Sequence, residues 1–470
     1  MQQPTIIQGG LGVGVSAWQL ARAVALAGGL GVVSGTALDS VVARRLQDGD
    51  RDGAVRRALE HFPDPEMASR VRERYFRPEG REPGQPYLPI PKLLLHQSRG
   101  GQELALVGNF VEVWLAKEGH QGLVGVNYLE KVQMATPAAA LGAVLAGVDY
   151  VLMGAGVPRE IPRLLDDLTA GRTGGVSVDV HGSEQPHRVE VDPIDLLGVP
   201  LPDLRRPRFL AIISSAVLAA YLVRDPATRP DGFVLEGAQA GGHNAPPRGK
   251  LVLDEDNQPV YGPRDDIDLT KVAALGLPFW LAGTYGTPGQ VLEARAAGAA
   301  GVQVGTLFAL SVDSGLREDL LTDLREEIGK DALTVRTDPQ ASPTGFPFKV
   351  AQMAGTLSDP EVYEDRTRLC DLSYLRTPYV DGNGKIGYRC PSEPQHMYVR
   401  KGGAIEDTID RKCLCNALTA NIGLGQTRRD GYSEPALVTL GADLQGARTL
   451  TERHPEGWTA TEAVAWLMGS

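Results

Sequence analysis

The chain has 470 residues, 42% of them hydrophobic and 22% charged, with a formal net charge of −11 at pH 7. That balance suits a globular protein with a large buried core, and the length alone allows two or three domains. An acidic chain without a lysine-rich run is a poor match for nucleic acid or an anionic membrane surface, and no apolar run is long enough to span a bilayer as a helix.

Taken in chain order, eight short apolar runs stand between glycines or small polar residues. They are Ile6–Gln8, Leu30–Val33, Leu123–Asn127, Tyr150–Met153, Phe209–Ser214, Gly232–Glu236, Phe279–Ala282 and Gly301–Gly305. Continuous apolar runs of this length are expected of strands covered on both faces, as in a parallel sheet. Thr136-Pro137 and Thr287-Pro288 each open an Ala-rich stretch with a capping hydroxyl and a proline at the first helical position. Eight strand–helix units predict an α/β fold, a closed (β/α)8 TIM barrel, with a doubly wound sheet as the alternative. Residues 37–120 are charged and Pro-containing with helical patches, and are expected to form a mostly helical insertion after the second strand. Residues 176–192 alternate around a Gly-Ser turn and predict a hairpin inserted after the fourth. The expected layout is a barrel built from 1–36 and 121–310, with 311–470 as a C-terminal extension packed on it.

In such a barrel the chemistry sits in the loops after the strands, and a phosphate site commonly follows strands seven and eight. Those loops hold Gly283, Gly305 and Thr306, whose freed N–H groups and hydroxyl suit an anion. The glycine run Gln8-Gly9-Gly10-Leu11-Gly12 is no dinucleotide fingerprint, because no strand ending in an acidic residue follows about twenty residues on. It suits backbone passing close to a flat ring. After the sixth strand comes Glu236-Gly237-Ala238-Gln239-Ala240-Gly241-Gly242-His243. A histidine on a Gly-rich loop at a barrel mouth is placed to act as a general base, and Glu236 and Gln239 are further polar candidates there.

These pieces, with Gly125-Val126-Asn127, Met153-Gly154-Ala155-Gly156 and Gly301-Val302-Gln303-Val304-Gly305-Thr306, come in the order in which they stand in the nitronate monooxygenase (2-nitropropane dioxygenase) family, which the chain resembles over the barrel. The resemblance implies FMN as cofactor. It places Gln8, Gly9 and Gly10 near the flavin ring and Asn127 in contact with it. Gln239, Gly241 and Gly242 go to the cofactor loop, Gly283, Gly305 and Thr306 to its phosphate, and His243 to catalysis. The insertions and the extension resemble the larger members, including the enoyl reductase components of polyunsaturated fatty acid and polyketide synthases. The resemblance therefore implies a small-molecule substrate, either an alkyl nitronate oxidised with O2 to carbonyl and nitrite or an enoyl thioester reduced with NAD(P)H. A flavin-bound docking subunit of a lipid synthase complex is a third reading. Arg248, Lys250 and Arg264 could meet a cofactor phosphate or lie as scattered surface charge.

The start MQQPTIIQGG has no signal-peptide pattern, and four cysteines in so long a chain make no disulfide scaffold, so a cytoplasmic enzyme with reduced thiols is expected. No membrane or nucleic-acid partner is expected, and a homodimer is one open assembly. Cys370, Cys390, Cys413 and Cys415 include only one close pair, spaced C-x-C. Buried free thiols are the preferred reading over a metal or cluster site, and no metal ligand is assigned.

Overall fold

The structure is a computed structural model and describes residues 3–469. Eight strands form one parallel sheet: β1 (Ile6–Gln8), β2 (Gly31–Ser34), β3 (Val124–Leu129), β4 (Tyr150–Gly154), β5 (Arg208–Ile213), β6 (Gly232–Glu236), β7 (Phe279–Ala282) and β8 (Gly301–Val304). Their order is β1-β8-β7-β6-β5-β4-β3-β2. A parallel bridge between Ile7 and Leu30 joins the two ends, so the sheet closes into a (β/α)8 barrel. Each of the eight runs picked out by their apolar character is a barrel strand, with ends that move by no more than two residues.

Strict alternation along the strands fills the barrel. Ile7, Val32, Leu152, Leu210, Val234 and Trp280 form a closed inner cluster. Their chain neighbours Ile6, Val33, Val151, Phe209, Phe233 and Phe279 face the helices as part of the main core. Trp280 donates its indole N–H to the carbonyl of Pro4 at 2.7 Å, which satisfies the one polar atom of that buried ring.

The side chain of Gln8 is taken up by the barrel seam. It is fully buried, and its Oε1 accepts the N–H of Val32 at 2.8 Å while its Nε2 donates to Ser16 Oγ at 2.9 Å and to the Gly9 carbonyl at 2.7 Å. The side chain thus supplies a rung between β1 and β2, where the backbone ladder is short.

Within 37–120 four helices appear, Leu38–Gln47, Ala54–Glu60, Pro65–Tyr75 and Arg99–Lys117. The last packs along the helices Trp18–Leu26 and Thr136–Leu145 and stands where the helix between β2 and β3 belongs in a barrel. The hairpin of Gly174–Val178 with His187–Val191 follows β4. Thr287 caps its helix in a reciprocal capping box with Gln290, as its spacing predicts. Thr136 does not cap: a 3-10 turn, Glu130–Ala135, precedes it, and its hydroxyl donates to the Val132 carbonyl at 3.2 Å. Among the described residues no helix is long and apolar enough to cross a membrane.

Candidate active site

The barrel's carboxyl ends open into a pocket of about 1480 Å³, its mouth included. Gly9, Gly10, Asn127, Gly241, Gly242, Gly283, Gly305, Thr306 and His243 all border it. Two candidates do not. Gln8 is committed to the barrel seam. Gln239 has an exposed side chain and contributes through its backbone, where its carbonyl accepts the N–H of Ala442.

The walls suit a flat, polar-edged ring. Gly10 lies so close to Asn127 that a Cβ there would come within 2.7 Å of the Asn127 Cβ, so only glycine lets the two segments pass. Asn127 donates from Nδ2 to the Gly10 carbonyl at 3.2 Å, and its Oδ1 is buried without a partner. Gln303 on β8, which no single-sequence signal marks beyond its place in a glycine-flanked run, also borders the pocket with an unpartnered, buried Oε1. Buried polar atoms are normally satisfied. Two orphaned acceptors on one pocket wall fit a ligand that brings an N–H edge, as a flavin does.

At the other end, Gly283 has φ +120°, a conformation that excludes a side chain, and Gly305 precedes the short helix Thr306–Ala309. Thr306 Oγ1 accepts the N–H of Gly441 at 2.9 Å and so has its own hydrogen to give. Among the described residues no Lys or Arg borders the pocket, so an anion would be held by N–H groups and this hydroxyl. Asp443, also on this wall, is occupied by Gln290 Nε2 and the Gln445 N–H, each at 3.0 Å.

His243 is fixed by the C-terminal extension. Its backbone pairs with Phe348, the N–H of Asn244 donates to the Pro347 carbonyl at 2.9 Å, and the N–H of Lys349 donates to the Gly242 carbonyl at 2.9 Å. The ring meets Phe348 edge-on, and Nε2 shares a 2.7 Å hydrogen bond with Ser342 Oγ, which is fully buried. Burial, with a smaller effect of the Lys131 charge, lowers the pKa of His243 to about 4. The imidazole is therefore neutral at pH 7, free to accept a proton and already oriented.

A second pocket, of about 870 Å³ with its mouth, adjoins the first. The two share Ala155, Ile212, Glu236 and His243. Its other walls mix apolar side chains, Val157, Ile213, Leu218, Ala245, Pro246 and Phe346, with polar Ser214, Asn244, Tyr261 and Asp265. Glu236 ends β6 on the common wall, where burial pushes its carboxyl up to about 8, so it carries a proton at neutral pH. Arg248 borders this pocket, and its guanidinium donates to the carbonyls of Arg264 and Ser214, both at 2.6 Å.

No protein-family model and no curated protein matches the chain. Solved structures similar to it include FabK from Thermotoga maritima, at 15% identity over 100% of this chain and 92% of that one, with a TM-score of 0.44. A nitroalkane oxidase from Streptomyces ansochromogenes matches at 15% identity over 100% and 95%, with a TM-score of 0.46. The enoyl reductase domain of MlnA from the macrolactin biosynthesis cluster of Bacillus amyloliquefaciens matches at 11% identity over 100% and 94%, with a TM-score of 0.47.

Proposed function

We propose that the chain is an FMN-dependent oxidoreductase in which a small-molecule substrate in the second pocket meets the cofactor at His243. The observation that carries this reading is the shared wall: a cofactor-sized pocket and a substrate-sized pocket touch at one neutral imidazole and one protonated carboxyl. FMN, when bound, supplies the electron acceptor or donor. Asn127 and Gln303 would meet its ring edge, and the loops of Gly283, Gly305 and Thr306 its phosphate.

The reading we place first is oxidation of an alkyl nitronate with O2, similar to the nitronate monooxygenases. His243 accepts and returns a proton, held in one orientation by Ser342. The extension adds Phe348, Tyr374, Leu375 and Leu414 to the walls of the large pocket.

The apolar side chains Val157, Ile213 and Leu218 of the second pocket favour a second reading, reduction of an enoyl thioester with NAD(P)H, in which a chain-like acyl group lies along them. Protonated Glu236 would then be the proton donor, active below its pKa of about 8 and lost as the pH rises through it. In that case kcat/KM falls above about pH 8, and Glu236→Gln abolishes the alkaline limb along with most of the rate. A pH profile that keeps its alkaline limb in Glu236→Gln removes the carboxyl from this role.

An anaerobic titration of the yellow protein separates the two. Loss of the flavin band near about 450 nm on adding propyl 2-nitronate, with no response to NADPH, supports nitronate oxidation. Rapid bleaching by NADPH alone supports the reductase.

A further inference from the structure

Most polar side chains around the second pocket are already engaged. The Tyr261 hydroxyl donates to the Ala245 carbonyl at 3.0 Å, and Asp265 accepts the backbone N–H groups of Arg248 and Gly262 at 2.7 and 2.8 Å. The Arg248 guanidinium is held by its two carbonyls, and His243 by Ser342. Asn244 differs. It is 2% exposed and borders the pocket, and its Oδ1 is buried with no partner.

Hydrogen bonding decides which end of this amide is free. The other end lies 2.9 Å from the Ala240 carbonyl, which can only accept, so that end is the NH2 group and the free atom is the oxygen. The residue is also fixed from both sides. Its backbone N–H donates to the Pro347 carbonyl at 2.9 Å, the Ala245 carbonyl next along the chain receives Tyr261, and Pro246 and Pro247 follow. Pinning the loop accounts for the amide nitrogen. It does not account for the oxygen, because a buried acceptor without a hydrogen is costly and uncommon.

We propose that Asn244 selects the substrate, its Oδ1 accepting a hydrogen bond from an N–H or O–H group of the molecule that fills the second pocket. The proposal rests on the reading of that pocket as the substrate's. It narrows the substrate class to molecules that carry an amide or hydroxyl group beside an apolar part, the apolar part meeting Val157, Ile213 and Leu218. A plain alkyl nitronate brings oxygens and no such hydrogen, whereas a thioester whose thiol arm carries an amide brings one. A ligand without the hydrogen is disfavoured because it leaves the oxygen both desolvated and unpaired.

The test compares two thioesters that differ at one position. S-butanoyl-N-acetylcysteamine has an amide N–H where S-(2-acetoxyethyl) thiobutanoate has an ester oxygen. Isothermal titration calorimetry on the full-length protein with FMN added gives the affinity for each. Wild-type protein is expected to bind the amide roughly five- to tenfold more tightly, as one hydrogen bond provides. Asn244→Leu and Asn244→Ala should each bring that ratio to about one or below. General damage to the loop weakens both ligands alike, so the ratio reports the oxygen rather than the fold. Equal affinities in wild-type protein overturn the proposal even if the variants fail to fold. So does the absence of binding by either ligand, or a preference for the amide that survives in folded variants. Turnover of the matching but-2-enoyl thioesters with NADPH is measured separately. An amide preference without turnover keeps the Asn244 contact and removes the reductase reading, and turnover without the preference does the reverse.

Discussion

His243→Ala is expected to lower turnover at least about a hundredfold, the usual scale for removing a general base, while bound flavin and the fold are retained. The ring lies on the wall between the two pockets, and the backbone around it is held by Pro347, Phe348 and Lys349 rather than by its own side chain, so truncation leaves the loop in place. The pH profile gives a second signature. A base acts in its deprotonated form, and burial lowers this histidine to about 4, so the rate should stay flat from neutrality down to about pH 5 and fall only as the pH approaches 4. An acid limb centred near 6.5 would mean that the imidazole is not desolvated as described. A variant that keeps full turnover would exclude His243 from proton transfer.

Gly305→Asp is expected to weaken FMN binding by roughly 30- to 100-fold. A carboxylate on this loop would sit where the phosphate is proposed to lie. Two charges about 6–8 Å apart at an effective dielectric near 20 repel by ~2–3 kcal/mol. No Lys or Arg borders the pocket among the described residues to offset the new charge. Gly305→Ala is the control for size: its Cβ would meet only the Leu11 side chain, Cδ1 at 2.9 Å and Cγ at 3.3 Å, which can shift aside. Fluorescence titration of the apoprotein with FMN measures both. Equal affinities for the alanine and aspartate variants would place the phosphate elsewhere.

The barrel was legible because its strands are buried on both faces, which turns each into an unbroken apolar run between glycines. The cofactor loops were legible for a related reason: Gly10 and Gly283 occupy backbone positions that no other residue fills, and that need marks the sequence. Side-chain direction was less accessible. Gln8 sits beside Gly9 in sequence, yet its amide points along the seam to Val32 and Ser16, and Gln239 points to solvent. The partners of His243 were out of reach altogether. Ser342 and Phe348 lie about a hundred residues downstream in irregular and short-strand structure, and no periodicity ties such segments to a barrel mouth. The four cysteines were similarly opaque. Their spacings carry no knuckle pattern, and only folding brings Cys370 and Cys390 to the helix that holds Cys413 and Cys415.

The most direct test of the central claim is to denature the purified protein and identify and quantify what it releases. The site described predicts about one FMN per chain, either as isolated or after incubation of colourless protein with FMN and removal of the excess. Protein that carries no flavin and leaves the fluorescence of added FMN unchanged would contradict it.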